Sequence, residues 1–156
     1  MRERYVSIAD RICEKGWFGQ KTGRGYYKYT PGARRGEEDP EVLSIIQEER
    51  NVKGIEAKSL SSDEIRRRYF AAMVNEGAKV LEEKMALRPS DIDVTKLFGY
   101  GFPRHMGGPM RYADVYGIEN ILNDLKELEK EDPYFWKPAE LIVKLVEEGK
   151  DFNSLN

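Results

Sequence analysis

The stretch Phe98 to Asp114 (FGYGFPRHMGGPMRYAD) constrains this chain more than any other. Its four glycines and two prolines fall within a dozen positions, between two segments of helical periodicity. Gly99 and Gly101 can take φ > 0 and end a helix, and Pro103 fixes the exit path. Gly107 and Gly108 allow close backbone approach, and Pro109 suits the first turn of the next helix. A rigid helix–loop–helix corner is encoded here, so the fold around it is expected to be helical on both sides.

The flanking pattern agrees. Ser61-x-x-Glu64 has the form of a capping box and opens a helical pattern to about Lys84. Ile65, Tyr69, Ala72, Met73, Glu76 and Val80 share one face, with Phe70, Val74, Gly77 and Leu81 beside it, which predicts a central, heavily buried helix. A shorter helix follows Arg88-Pro89, with Ser90 as its expected cap. Beyond the corner, helices are predicted from Pro109 to about Val115, along Ile118, Ile121, Leu122, Leu125 and Leu128, and along Leu141, Ile142, Leu145 and Val146. Pro133 and Pro138 bracket Tyr134-Phe-Trp136, an aromatic run expected to plug into the core. Burial is predicted at Ile65, Met73, Val80, Leu97, Ile121, Leu125 and Leu145. Almost no strand signal is present, and residues 61–156 read as an all-α domain of five or six helices.

The first sixty residues are of another kind. Tyr5, Ile8, Ala9, Ile12 and Cys13 follow the spacing of one apolar helical face, with Cys13 read as a small buried hydrophobe. Gly19-Gln-Lys-Thr-Gly-Arg-Gly25 reads as a turn, Tyr26 to Tyr29 as an extended piece, and residues 30–60 as a linker holding one short helix. Asp39-Pro40 looks like an N-cap followed by proline at the first helical position, with Val42, Leu43, Ile45 and Ile46 inward. A helix of about ten residues cannot bury its face alone. Residues 5–29 are therefore expected to fold back on the rest of the chain or, as the preferred outcome, to pair with a second copy as a homodimer.

Composition narrows the classes. With 35% charged and 40% hydrophobic residues the chain reads as a globular protein, and its apolar runs are too short to span a bilayer. The charged start at Met1-Arg-Glu-Arg-Tyr lacks an apolar signal region, which points to a cytoplasmic protein. A single cysteine excludes an internal disulfide and a multi-cysteine metal site. The net charge of −2 hides an asymmetry, because residues 1–36 carry nine Lys/Arg and three Asp/Glu. The remainder is acidic, and a pI near 5.6 weighs against nucleic acid.

The candidate chemical groups are few. In the 19–25 turn, Lys21, Arg24 and backbone N–H groups could cradle a phosphate, against a plain structural turn, which is the preferred reading. His105 lacks a second histidine or a paired carboxylate and reads as a loop histidine. Asn75 and Glu76 could look catalytic, but a buried polar pair satisfying a loop backbone is the more ordinary reading. Asp91, Asp93 and Asp114 could invite a cation; capping by Asp91 and bracing of the corner by Asp114 stand beside that. Arg66 to Arg68 read as a salt-bridged helix face. No metal is expected.

The ordered set Asn75-Glu76-Gly77, Pro89-Ser90-Asp91-Ile92-Asp93, Gly99-Tyr-Gly-Phe-Pro103, Gly108-Pro109 and Tyr112-Ala-Asp114 resembles the C-terminal helical domain of 3-hydroxyacyl-CoA dehydrogenases, which is of the 6-phosphogluconate dehydrogenase C-terminal-like type. The likeness is strongest to the fused hydratase–dehydrogenase enzymes of fatty-acid β-oxidation. Gly77 stands where the family usually has Ala. Residues 11–29 are similar to the closing helix and Gly-x-Lys-Thr-Gly-x-Gly loop of the same domain. The resemblance implies the tail of a first helical copy at 1–29, a linker at 30–60 and a whole second copy at 61–156. It further implies a non-catalytic scaffold or dimerisation part, partnered by catalytic domains that bind NAD and carry the family's His–Glu pair. The family's catalytic Asn has no counterpart here, its place being taken by Arg66 to Arg68. An independent CoA- or protein-binding module using the 19–25 loop is the alternative function, and a peroxisomal location the alternative to the cytoplasm.

Overall fold

The computed structural model describes residues 5–156, and the chain divides between Ser59 and Leu60 into two units. The first four residues of the predicted 1–29 segment lie outside the described residues.

In the first unit, helix α1 (Ile8–Glu14) and helix α2 (Pro40–Lys53) flank a small antiparallel hairpin of β1 (Tyr27–Lys28) and β2 (Glu37–Glu38). Tyr27 lies opposite Glu38, and Lys28 opposite Glu37. The α2 start is as predicted: Asp39 accepts the Glu41 N–H with its side chain, Pro40 follows, and Gly54 at φ 62° ends the helix. Ile12 from α1 and Val42 and Ile45 from α2 are buried together, with Ile8, Trp17 and Ile46 against them. The segment expected to be a linker thus supplies the cover for the α1 face. Cys13, predicted buried, is exposed.

The second unit holds five α-helices: α3 (Ser62–Glu82), α4 (Pro89–Gly99), α5 (Pro109–Tyr116), α6 (Ile118–Glu129) and α7 (Glu140–Glu147), closed by a 3₁₀ turn at Phe152–Leu155. The capping box forms in full, with Glu64 N–H donating to Ser61 Oγ and Ser61 N–H to the Glu64 carboxylate. At α4 the capping read for Asp91 forms and that read for Ser90 does not. Asp91, at the third helical position, accepts the Arg88 N–H, whereas Ser90 lies inside the helix and donates its N–H to Asn156. The core gathers Val74 and Ala78 of α3, Ile92, Met110, Ile121, Leu125, Ile142, Leu145 and Phe152. All-α is the correct fold class, the hairpin being the only sheet among the described residues.

Four of the seven positions named for burial are not buried, three of them because α3 is rotated. The buried face of α3 is Phe70, Ala71, Val74, Asn75, Gly77 and Ala78, about one residue round from the predicted stripe. Ile65 is 54% exposed, Glu76 is exposed, and Met73, Val80 and Leu97 are only half-buried. Ile121, Leu125 and Leu145 are buried as predicted. In the aromatic run, Trp136 packs on the core while Tyr134 and Phe135 stay exposed.

Candidate functional site

The polar motif residues are spent on backbone. Asn75, buried on α3, donates its Nδ2 to Lys137 O at 2.9 Å and accepts the Ala139 N–H at 2.8 Å. One side chain thereby satisfies both sides of the loop that enters α7, which is the ordinary reading of a buried amide. Its predicted companion Glu76 points outward and reaches only Lys79, at 3.9 Å.

Asp93, rather than Asp114, braces the glycine corner. Its two oxygens accept the Met110 and Arg111 N–H groups at 2.7 and 3.0 Å, satisfying donors that the start of α5 leaves free. Gly108, at φ 108°, is required for this approach, because a Cβ there would overlap the Asp93 carboxylate. Gly101, also at positive φ, turns the chain as predicted, whereas Gly99 is simply the last residue of α4. Pro103 precedes the 3₁₀ turn that carries exposed His105. Asp114 accepts the Phe152 and Asn153 N–H groups at 2.9 and 3.0 Å and so pins the C-terminal turn to α5. Burial pushes both Asp93 and Asp114 above the ordinary carboxylate range, against the hydrogen bonds that favour their charge. Neither has an oxygen free of backbone partners for a general base or a cation, and among the described residues no group of three His, Cys, Asp or Glu is placed to hold a metal.

Arg66 to Arg68 are salt-bridged as expected, and one of them enters a cluster that spacing did not reveal. Arg67 binds buried Asp124 of α6 through Nε at 3.0 Å and Nη2 at 2.5 Å, and Glu127 at 3.0 Å. Tyr116 donates its hydroxyl to the other Asp124 oxygen at 3.1 Å. Arg68 forks onto Glu131, and Arg66 pairs with Asp63. The cluster ties α3, α5 and α6 together. The separation of 57 residues between Arg67 and Asp124 puts this pair beyond local sequence signals.

The 19–25 turn is likewise committed internally. Arg24 binds Asp39 through Nε at 2.6 Å and Nη2 at 3.1 Å, reaches Glu41 at 2.8 Å, and lies 3.5 Å over the Trp17 ring. The Arg24 guanidinium holds Asp39, whose side chain is fully buried, down at about 2. Gly19, Thr22, Gly23 and Gly25 donate their N–H groups to carbonyls of the same loop or of Tyr27. Of the two side chains that could meet a phosphate, Arg24 is a structural ion-pair residue and Lys21 is exposed.

One surface of the second unit is not accounted for by its own packing. A groove of about 890 Å³ runs between α3 and α4, walled by Tyr69, Met73, Val80, Leu87, Ile92 and Tyr100. The side of α3 predicted to be buried forms one of its walls. Sequence periodicity had detected this apolar stripe without being able to say which of two faces meets the unit's own core.

The family described as 3-hydroxyacyl-CoA dehydrogenase, C-terminal domain matches residues 65–152. A peroxisomal bifunctional enzyme of Danio rerio is 42% identical over 149 residues, covering 94% of this chain and 21% of the relative. That of Homo sapiens is 38% identical, covering 97% and 22%, and the fatty acid oxidation complex subunit alpha of Idiomarina loihiensis is 35% identical, covering 86% and 18%. The chain thus spans about a fifth of the length of these curated relatives. The crystal structure of the dehydrogenase part of a multifunctional enzyme 1 from C. elegans superposes with a TM-score of 0.63 at 28% identity, over 92% of this chain and 33% of that one.

Proposed function

The chain belongs to the family of 3-hydroxyacyl-CoA dehydrogenase C-terminal domains, and from that premise we propose that it is the non-catalytic scaffold part of a fatty-acid β-oxidation enzyme. In this reading the parent hydrates enoyl-CoA and oxidises 3-hydroxyacyl-CoA with NAD, and both reactions belong to domains other than this one. The observation that carries it is the commitment of Asn75, Asp93 and Asp114, each of which holds two backbone groups. The role of the domain is then to keep a helical surface rigid for the catalytic domains to pack on. Peroxisomal and glyoxysomal names among the relatives favour the peroxisome over the cytoplasm. A homodimer through residues 5–29 would have to use exposed Phe18, Tyr26 and Tyr27, since Ile12 is covered by α2.

The test is reconstitution. The Danio rerio enzyme, deleted of the segment that this chain matches, is mixed with the chain and assayed for NADH formation from a 3-hydroxyacyl-CoA. Activity is expected from the mixture and none from the chain alone. Turnover by the chain alone, or a mixture no more active than the deleted enzyme, would refute the scaffold role.

A further inference from the structure

Ser7 donates its hydroxyl to Glu49 Oε2 at 2.6 Å and its N–H to Glu49 Oε1 at 3.2 Å. The two bonds cross from the start of α1 to the C-terminal half of α2, and they hold the Glu49 carboxyl below its ordinary range. Glu49 is buried, with Lys53 Nζ 3.2 Å from Oε1. A buried carboxylate that keeps its charge depends on donors of this kind. The Ser7 hydroxyl does not cap its own helix; it serves the helix pair.

The sequence around this serine is Arg2-Glu-Arg-Tyr-Val-Ser-Ile8, with arginine three and five positions before it and an aliphatic residue after it. Among the ten serines and threonines of the chain, Ser7 alone has arginine at both places. Serine kinases directed by arginine read this spacing, since carboxylates of the kinase grip the guanidinium groups and a pocket takes the apolar residue. Tyr5 and Val6 are exposed and lie outside the helix, as a substrate strand requires.

We propose that Ser7 is a phosphorylation site for an arginine-directed serine kinase, and that the phosphoryl group parts α1 from α2. Ser7 Oγ attacks the γ-phosphorus of ATP, its proton passes to the base of the kinase, and ADP leaves with the electrons of the broken P–O bond. The product lacks the proton that Glu49 accepts and carries about two negative charges in its place. It then faces the buried Glu49 carboxylate, with Asp10 in the first turn of the same helix. Lys53 is already shared between Glu49 and the Tyr5 carbonyl. Attraction to the start of a seven-residue helix is small beside repulsion from a carboxylate at hydrogen-bond range. Only Ile12, Val42 and Ile45 form the buried cluster that resists separation. An opened pair also presents Ser7 to the kinase, so opening and modification favour each other.

The chain carrying Trp136→Phe is treated with ATP and a purified kinase of the protein kinase B class, and mass spectrometry locates the label. One phosphoryl group on Ser7 is expected, and Ser7→Ala should take up none. Arg2→Ala and Arg4→Ala should each slow labelling by at least about tenfold, the loss of one charge-assisted contact. The thermal midpoint read at Trp17 should fall by at least about 5 °C on phosphorylation, and further than in Ser7→Ala, which loses the bond without gaining charge. In Glu49→Gln the fall caused by phosphorylation should shrink, because the facing charge is gone. Circular dichroism checks folding, and if Glu49→Gln does not fold, Ser7→Glu against Ser7→Gln makes the same comparison of charge. A chain left unlabelled at Ser7 overturns the proposal, as does labelling that ignores both arginines. So does phosphoserine that leaves the Trp17 midpoint in place or raises it, or a fall that is undiminished in Glu49→Gln.

Discussion

Three residues, Ile12, Val42 and Ile45, make up the buried apolar cluster before Ser59, whereas fourteen do so after Leu60. Each unit also buries carboxylates, but gives them different partners. In the first, Asp39 meets the Arg24 guanidinium and Glu49 meets the Ser7 hydroxyl and N–H. In the second, buried Asp93 and half-buried Asp114 meet backbone N–H groups, and buried Asp124 meets a cation. A small core leaves the first unit dependent on pairs that salt and acid can reach. The large core of the second tolerates the desolvation of Asp93 because α5 supplies fixed donors at no cost in side-chain entropy. Charge–charge contacts therefore hold the helix pair together, while the five-helix domain adds to its Arg67–Asp124 cluster the charge–backbone contacts that set its corner and its C-terminal turn.

The largest effect should come from removing one of the backbone braces. Asp93→Ala leaves the Met110 and Arg111 N–H groups without acceptors at the corner, at about 1–3 kcal/mol for each buried donor. A loss of about 2–5 kcal/mol in urea unfolding of the second unit is expected, with Asp93→Asn recovering part of it. An effect within about 0.5 kcal/mol, the scale of a surface substitution, would mean that the corner does not need its brace.

A smaller effect belongs to the one departure from the family pattern. At Gly77 a Cβ would lie 2.6 Å from Met110 Sδ, so the methionine occupies the room that the usual Ala would take. Helix propensity favours Ala over Gly by roughly 0.8–1.0 kcal/mol, and overpacking costs about 1–3 kcal/mol. Gly77→Ala alone should therefore be destabilising by about 1 kcal/mol, and Gly77→Ala with Met110→Leu should recover most of that. Equal losses in the single and double variants would show that the two positions are not coupled.

Much of this architecture was legible because it is local. The capping box at Ser61, the Asp39-Pro40 start of α2 and the proline starts of α4 and α5 each lie within a few residues of what they control. Distant partners were not legible. Capping by Asp91 is local and legible, but only the return of α5 past α4 decides that Asp93 reaches the corner and Asp114 the C-terminal turn. The Arg24–Asp39 pair is not local, because 15 residues and a hairpin separate its members, so the sequence offers a structural turn without the partner of its cation. The α3 stripe was found but assigned to the wrong side. Periodicity reports that a face is apolar, and says nothing of whether its cover lies in the same domain.

Ionic strength offers a finer probe of the contrast, since each unit contains one tryptophan. Trp17 reports on the first unit in Trp136→Phe, and Trp136 on the second in Trp17→Phe. Raising salt from low to molar should lower the thermal midpoint seen by Trp17 more than that seen by Trp136, because exposed pairs such as Arg11–Glu48 and Lys15–Glu41 are screened. Equal shifts would remove the electrostatic distinction between the units.

Acid should separate them with opposite signs, by the smallest margin of these tests. Asp39 is held at about 2 in the folded chain against an ordinary value of 3.8, so the unfolded chain takes up its proton first. Its contribution is complete above the ordinary value and is lost as the pH falls from about 4 towards 2. Asp93 and Asp114 are shifted the other way, so the folded chain protonates first and the second unit gains stability as the pH drops towards the ordinary carboxylate value from above. Between neutrality and about pH 5, before the depressed glutamates of either unit begin to lose their contribution, the Trp136 midpoint should therefore rise slightly while the Trp17 midpoint holds, and below that the Trp17 midpoint should fall first. Lys15, Arg11 and Ser7 also hold Glu41, Glu48 and Glu49 below the ordinary value, so Asp39→Asn should shrink the acid-side fall at Trp17 without abolishing it and without altering the rise at Trp136. A rise at Trp136 that persists in Asp93→Asn with Asp114→Asn would assign it to other groups, and the burial of these two carboxylates would then no longer explain it.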